Sequence, residues 1–316
     1  MAAGADDVSN SLRGAGKLAL SRALSRVEAE EGSAELADFL DAACRADGSH
    51  VLGLTGPPGV GKSTLTNALI RAFRARGETV GVLAIDPSSR FSGGALLGDR
   101  TRLSTDPDDQ GVFVRSMAAR DRLGGLSDHA IAGIAILRAA MDRVIVESVG
   151  IGQSEADVAF AVDTVVLCIQ PGSGDSLQFM KAGVMELPDI VAVTKGDMGQ
   201  AARRAVSDVE GALSLGRVAT GGWPVPVLQL SARDGVGIGD LIEKVDAHRD
   251  FLGEVGRLAR KRAAQQAQWL RDMVRVQFGK AGLRLAEEEG LLAGGSTPFT
   301  ALRQVSDELN RRLGLV

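Results

Sequence analysis

The stretch GPPGVGKS, residues 56 to 63, constrains this chain more than any other part of it. It follows the apolar run VLGLT (51–55) and leads into TLTNALIRAFRA, which has helical spacing. This is the pattern G-x-x-x-x-G-K-[ST] in its strand-to-helix context. Gly59 and Gly61 let the backbone bend so that successive N–H groups converge on phosphate oxygens. The helix that follows adds its positive end. Lys62 supplies a cation to the β- and γ-phosphates, and Ser63 offers a hydroxyl to Mg²⁺. The run Gly56, Pro57, Pro58, Gly59, Val60, Gly61, Lys62, Ser63 and Thr64 is therefore read as nucleotide-binding. An ordinary glycine-rich turn is the bland alternative, and the complete pattern in its context outweighs it.

The rest of the chain supplies the matching architecture. VLGLT (51–55), TVGVLAID (79–86), RVIVES (143–148), TVVLCIQ (164–170), DIVAVT (189–194) and VPVLQLS (225–231) are short apolar runs of the kind buried on both faces of a sheet. Helical stretches at 62–76, 127–142 and 199–215 separate several of them, which implies parallel strands joined by right-handed crossovers. The expected fold is α/β: a doubly wound, mostly parallel P-loop NTPase sheet with its ligand at the strand carboxyl ends. Helices at 17–31 and 33–46 make an N-terminal helical segment, residues 1–48, ahead of a nucleotide-binding domain over 49–250. Residues 251–316 read as a C-terminal helical region. From about 238 no strong stop precedes Gly279, and Leu241, Val245, Leu252, Val255, Trp269, Met273 and Val276 form a candidate apolar stripe. Such a stripe needs a surface, either its own domain or a second subunit.

Two further groups of residues bear on chemistry. Mg²⁺ takes oxygen ligands, one or two of them carboxylates. Asp86 ends one strand and Glu147 another, with Gly150 just beyond to offer an N–H to a γ-phosphate. Asp99, in GALLGDRTRL, is a third candidate acid for the metal or for catalysis. The second group is Thr194-Lys195-Gly196-Asp197, at the end of an apolar run. An Asp there accepts hydrogen bonds from guanine N1–H and the N2 amine, donors that adenine lacks. Lys195 lays its aliphatic stem along the purine. The turn Ser231-Ala232-Arg233 aims a backbone N–H at guanine O6. Together these favour GTP over ATP.

Composition excludes several classes. A formal charge of −4 leaves no basic field for nucleic acid, and 3% aromatic residues with no Tyr leave little for stacking on bases. The apolar runs are too short to span a membrane. The opening MAAGADDVSN lacks the basic and apolar regions of a secretory signal. Cys44 and Cys168 form no CxxC pair, and Cys168 reads as a small buried hydrophobe. A cytoplasmic location is expected. His50, His129 and His248 lack metal-ligand spacing and read as packed or solvated imidazoles.

The motifs TGPPGVGKST, LAIDPSSRFSGGALLGDRTRL, VIVESVGIGQSEADVA, PGSGDSLQFMKAGVMELPDIVAVTKGD and SARDGVG resemble those of the MeaB/ArgK family of P-loop GTPases. The resemblance runs from the N-terminal helices to at least residue 277. It implies a homodimer held by C-terminal helices. It also implies a G-protein chaperone that gates cofactor loading and protects a cobalamin-dependent acyl-CoA mutase, chiefly methylmalonyl-CoA mutase, with GTP/GDP and Mg²⁺ as its ligands. Lys62 and Ser63 take the P-loop roles, Asp86, Asp99 and Glu147 resemble the metal and catalytic-loop acids, and Asp175, Gln178 and Lys181 fall in a partner-sensing switch. The pattern is departed from at Thr194 (usually Asn), Ser148 (Thr), Arg100 (Lys) and Ser176 (Glu), and the last admits a related partner such as ethylmalonyl-CoA mutase. Gln153 is the candidate for orienting water, since no Gln directly follows Gly150. Turnover without a partner should be slow, because positioning supplies much of phosphoryl-transfer catalysis. The rival readings are a metallochaperone-type maturation GTPase, which needs soft or imidazole ligands, and an ATP-dependent small-molecule kinase.

Overall fold

A computed structural model describes residues 5–14, 16–46, 48–86, 103, 105–118, 126–148, 158–172, 186–215, 222–292 and 297–314. Asp99, Arg100, Gly150, Gln153, Asp175, Ser176, Gln178 and Lys181 lie outside the described residues, as does the side chain of Asp86. The chain divides into two compact units: residues 49–134 with 141–257, and residues 1–48 with 135–140 and 258–316.

In the first unit the strands are β1 (His50–Thr55), β2 (Val80–Asp86), β3 (Val112–Ala118), β4 (Arg143–Glu147), β5 (Thr164–Ile169), β6 (Ile190–Val193) and β7 (Val227–Gln229). Among the described residues they form one sheet in the order β3-β2-β4-β1-β5-β6-β7. Every pairing is parallel. The sheet shows why the strand sequences are almost wholly apolar. Val166 and Cys168 of β5 and Ile190 and Ala192 of β6 pack on one face with Leu65, Leu69, Leu241 and Val245. The residues between them, Leu167, Ile169 and Val191, pack on the other face with Val209. A strand alternates its side chains, so burial on both faces demands apolar residues at every position. Cys168 is fully buried, and desolvation pushes its thiol up to about 12, so it behaves as the small hydrophobe expected.

In chain order the helices of this unit include α4 (Lys62–Ala75), the start of α5 (Asp128–Ala140), α6 (Gln200–Leu215) and α7 (Ile238–Gly253). Helix α4 carries the P-loop and sinks Leu65, Leu69 and Phe73 into the core, each at 1% exposure or less. Burial of side chains this size contributes about 1.5–3 kcal/mol apiece. Helix α7 is tied to the sheet edge opposite the P-loop. The buried Arg143, at the start of β4, donates to Glu78 (2.8 Å) and to Asp246 of α7 (2.7 Å). The Thr164 hydroxyl lies between two buried imidazoles, 2.8 Å from His50 Nε2 and 2.7 Å from His248 Nδ1.

Three elements differ from the sequence expectation. β3 is absent from the apolar runs because Arg115 and Ser116, partly exposed at the sheet edge, interrupt the buried Val112, Phe113 and Met117. β7, at the other edge, is not buried on both faces as its apolar run implies: Val227 and Leu228 are half-buried and Gln229 is exposed. The long C-terminal helix is interrupted at Gly279, where the sequence places its first strong stop, and also earlier. Val255 adopts φ 43° in the Gly253–Gly256 stretch, and Gly279 adopts φ 69°, ψ −172°. Glycine adopts the conformation at 279 readily, whereas a β-branched residue such as Val255 seldom takes a positive φ.

The second unit is helical: α1 (Ala5–Gly14), α2 (Gly16–Ala29), α3 (Ala34–Arg45), the end of α5 (Asp128–Ala140), α8 (Arg257–Glu288) and α9 (Pro298–Leu313). Leu270, Val274, Ala286, Ala301, Val305 and Leu309 form a core between α8 and α9. The candidate stripe is largely satisfied within the chain. Leu241, Val245, Leu252, Trp269 and Met273 are buried, whereas Val255 and Val276 are 75% and 61% exposed.

A tertiary cap secures α9. The buried Asp41 of α3 accepts from the amides of Phe299 and Thr300, both at 3.0 Å. Pro298 leaves the helix start without its first donor, and Asp41 satisfies the next two. Desolvation nevertheless holds the Asp41 carboxyl above the usual carboxylate range, outweighing the hydrogen bonds to Thr300 and Phe299 that lower it. Asp41→Ala is expected to cost about 1–2 kcal/mol, the scale of a lost helix cap, and to speed amide exchange at Phe299 and Thr300. Unchanged protection there would remove Asp41 from this role. A raised folded pKa means that this group's contribution is greatest in acid and declines as pH rises through that pKa.

Candidate functional site

The site grows from the carboxyl edge of β1. Gly56 follows Thr55 at φ 135°, and a Cβ there would stand 2.3 Å from the carbonyl oxygen of Cys168. The loop passes this close to β5, then turns through Gly59 (φ 75°) and Gly61 (φ 102°) into α4. Lys62, 8% exposed, donates from Nζ to the carbonyls of Gly56 (2.7 Å) and Pro57 (3.1 Å). The ammonium is thus held over the loop that the sequence assigns to phosphate.

Parallel pairing of β1 with β4 sets Leu54 opposite Glu147 and brings that acid to the P-loop. Glu147, 5% exposed, accepts from Ser63 Oγ on one oxygen (2.6 Å) and from Thr66 Oγ1 on the other (2.8 Å). Thr66 went unnoticed in the sequence. It stands one helical turn from Lys62, and only the Glu147 contact gives it significance. A hydroxyl and a carboxylate so close together are hard oxygen donors. They fit a magnesium ion that keeps several of its waters. Asp86 ends β2 on the same sheet edge.

The base-side residues arrive from β6 and β7. Thr194, 3% exposed, has its hydroxyl 2.7 Å from the carbonyl of Val60 and 3.1 Å from that of Ile169. A hydroxyl carries one proton, and the shorter contact, to the P-loop, is the better donor geometry. Thr194 thereby links strand β6 to the phosphate loop. Lys195 follows at φ 54°, and its ammonium donates to Gln170 Oε1. Backbone bonds sew the two base-side loops together: Gly196 N to Leu230 O at 2.8 Å, and Leu230 N to Val193 O at 2.9 Å. Ser231 and Val236 close the second turn with paired backbone bonds of 2.9 and 3.1 Å. Ser231 Oγ lies 2.7 Å from Asp234 and 3.2 Å from Asp197. Its one proton favours Asp234, which leaves the Asp197 carboxylate with acceptor capacity.

These segments line an open cavity of about 520 Å³, within the range of small-molecule sites. Among the described residues its walls are Val60, Gly61 and Thr64 from the P-loop, Thr194, Lys195 and Asp197 from one loop, and Ser231, Ala232 and Arg233 from the other. Asn67 and Arg71 of α4 complete it. Sequence reasoning passed over those two, although 64, 67 and 71 have the spacing of one helix face. Gly56, Pro57, Pro58, Gly59, Lys62 and Ser63 occupy the adjoining loop and helix start.

Loss of the Thr194 hydroxyl would leave the buried Val60 carbonyl without that donor. Thr194→Val is expected to cost about 1–3 kcal/mol and to weaken GDP binding roughly tenfold, whereas Thr194→Asn should retain binding. Thermal melts and GDP titrations check this; a valine variant that melts and binds like the parent would contradict it.

A strand, a glycine loop and a helix on a seven-stranded parallel sheet, with an acid on the neighbouring strand end, define a P-loop nucleotide-binding protein. Residues 20–283 match the family described as methylmalonyl Co-A mutase-associated GTPase MeaB, and the chain belongs to that family of GTPases. Escherichia coli GTPase ArgK is 35% identical over 267 residues, 81% of each chain. The mouse methylmalonic aciduria type A homolog, mitochondrial, is 38% identical over 229 residues, 71% of this chain and 54% of that one. The crystal structure of an LAO/AO transport system kinase superposes with a TM-score of 0.70 at 28% identity, over 97% of both chains. No helix among the described residues is long and apolar enough to cross a membrane.

Proposed function

We propose that this protein binds and hydrolyses GTP and acts as a chaperone for a cobalamin-dependent acyl-CoA mutase, methylmalonyl-CoA mutase or a close relative. It would work as a homodimer with Mg²⁺. The observation that carries the nucleotide part is the single cavity shared by the P-loop helix, Asp197 and the Ser231 turn. Membership of a family described by its association with the mutase supports the partner.

The chain's own groups suit water attack on a γ-phosphate. The P-loop amides and Lys62 hold the phosphoryl oxygens, and the lysine exchanges its carbonyl partners for them. Ser63 and Glu147 would hold the magnesium ion, which offsets charge developing on the phosphates. Asp197 and the Ser231 turn take the guanine. Turnover of the protein alone is slow on this reading, and partner binding completes the positioning. Nucleotide state and partner affinity are then reciprocally coupled.

Co-purification with candidate mutases in GDP and in a non-hydrolysable GTP analogue tests the partner. A nucleotide-dependent complex and a GTPase rate that rises within it are expected. Hydrolysis at about tens per second by the protein alone, the ordinary range of an unassisted enzyme, would overturn the chaperone reading. Displacement of GTP by ATP at equal concentration would overturn the base assignment.

A further inference from the structure

The cavity has a feature that neither the phosphate pattern nor the guanine reader explains. None of its described lining residues is aromatic, in a chain with no Tyr and few aromatic residues of any kind. A purine held here meets the Lys195 stem and, among the described lining residues, no aromatic ring. The planar groups on the walls are the amide of Asn67 and the guanidiniums of Arg71 and Arg233. Arg233 is on a turn, its side chain is 84% exposed, and its charge lies 3.9 Å from Asp234. Arg71 is exposed too, but it stands on α4, whose backbone is fixed by the buried Leu69, Ile70 and Phe73 on either side. At 1.5 Å per residue it is about 10 Å along the axis from Thr64, beyond the phosphate end of the cavity.

We propose that Arg71 is a nucleoside-contact residue: its guanidinium lies against the purine on the α4 side, where the described walls offer no aromatic ring. A guanidinium plane stacks on a π-system and is weakly hydrated, which suits it to that place. Asn67, one turn closer to Thr64, faces the sugar between phosphate and base. The inference rests on the guanine-cavity reading above, and its test separates the two.

The test measures GDP and GTP affinity, and displacement by inorganic tripolyphosphate, for the full chain and for Arg71→Ala, Arg71→Lys and Arg249→Ala. Arg249 is a half-exposed arginine outside the cavity and controls for net charge. Arg71→Ala is expected to weaken both nucleotides by a similar factor, roughly three- to thirtyfold, with tripolyphosphate binding unchanged. Arg71→Lys should recover only part of the loss, because it restores charge without the plane. Parental nucleotide affinity in Arg71→Ala overturns the proposal. So does a parallel loss for tripolyphosphate, or an equal loss in Arg249→Ala, since each would mean a general field. If the parent protein itself fails to prefer GTP to ATP, the guanine-cavity reading falls instead.

Discussion

Asp197→Asn is expected to turn a guanine-nucleotide protein into one that prefers xanthine nucleotides. The carboxylate lies in the cavity wall beside Ser231, whose proton favours Asp234. It can therefore accept from both N1–H and the N2 amine of guanine. Asn keeps one acceptor but replaces the other with an N–H donor, which would face that amine. Xanthine carries a carbonyl in place of the amine and pairs with the new donor. Sites built on hydrogen bonds reject a mismatched partner strongly, because buried polar groups are left unpaired. GDP affinity should fall by at least about a hundredfold, with XDP binding rising by a comparable factor. Competition titrations of GDP, XDP and ADP decide the matter. If the variant keeps its GDP affinity, Asp197 is not reading the base.

Gly56→Ala should be the most damaging small change in the P-loop. Its Cβ would sit 2.3 Å from the Cys168 carbonyl oxygen, at a φ of 135° that L residues avoid. The carbonyl cannot yield cheaply, since Cys168 belongs to a buried strand paired with β6. Relief requires moving the loop off β5, which also displaces the amides assigned to phosphate. A destabilisation of about 3 kcal/mol or more is expected, with nucleotide binding lost. Gly59→Ala is the comparison: it too has positive φ, but nothing lies within 4 Å of its added Cβ. Its stability cost should be nearer 1 kcal/mol. Equal melting temperatures for the two variants would show that the close approach to Cys168 is not what demands glycine.

The sequence by itself determined the local chemistry and the class of fold. A strand, a glycine loop and a helix are neighbours in the chain, so GPPGVGKS was legible without its surroundings. The apolar runs gave away their strands because a sheet covered on both faces leaves no room for a polar alternation. β3 escaped because Arg115 and Ser116, on its partly open side, break up its apolar run. Glycine and valine in GEVG (253–256) broke a helix that periodicity alone would have continued. The tertiary structure decided everything that depends on two distant segments meeting. Thr194 replaces the expected Asn, yet its shorter side chain still comes within 2.7 Å of the Val60 carbonyl, and this distance is set by how β6 lies beside β5. Thr66 matters because Glu147 is beside it, and Asn67 and Arg71 matter because two loops lie opposite α4. Asp41 caps a helix more than 250 residues away. Periodicity says which face of an element is special; what that face meets is fixed only by close packing of the whole chain.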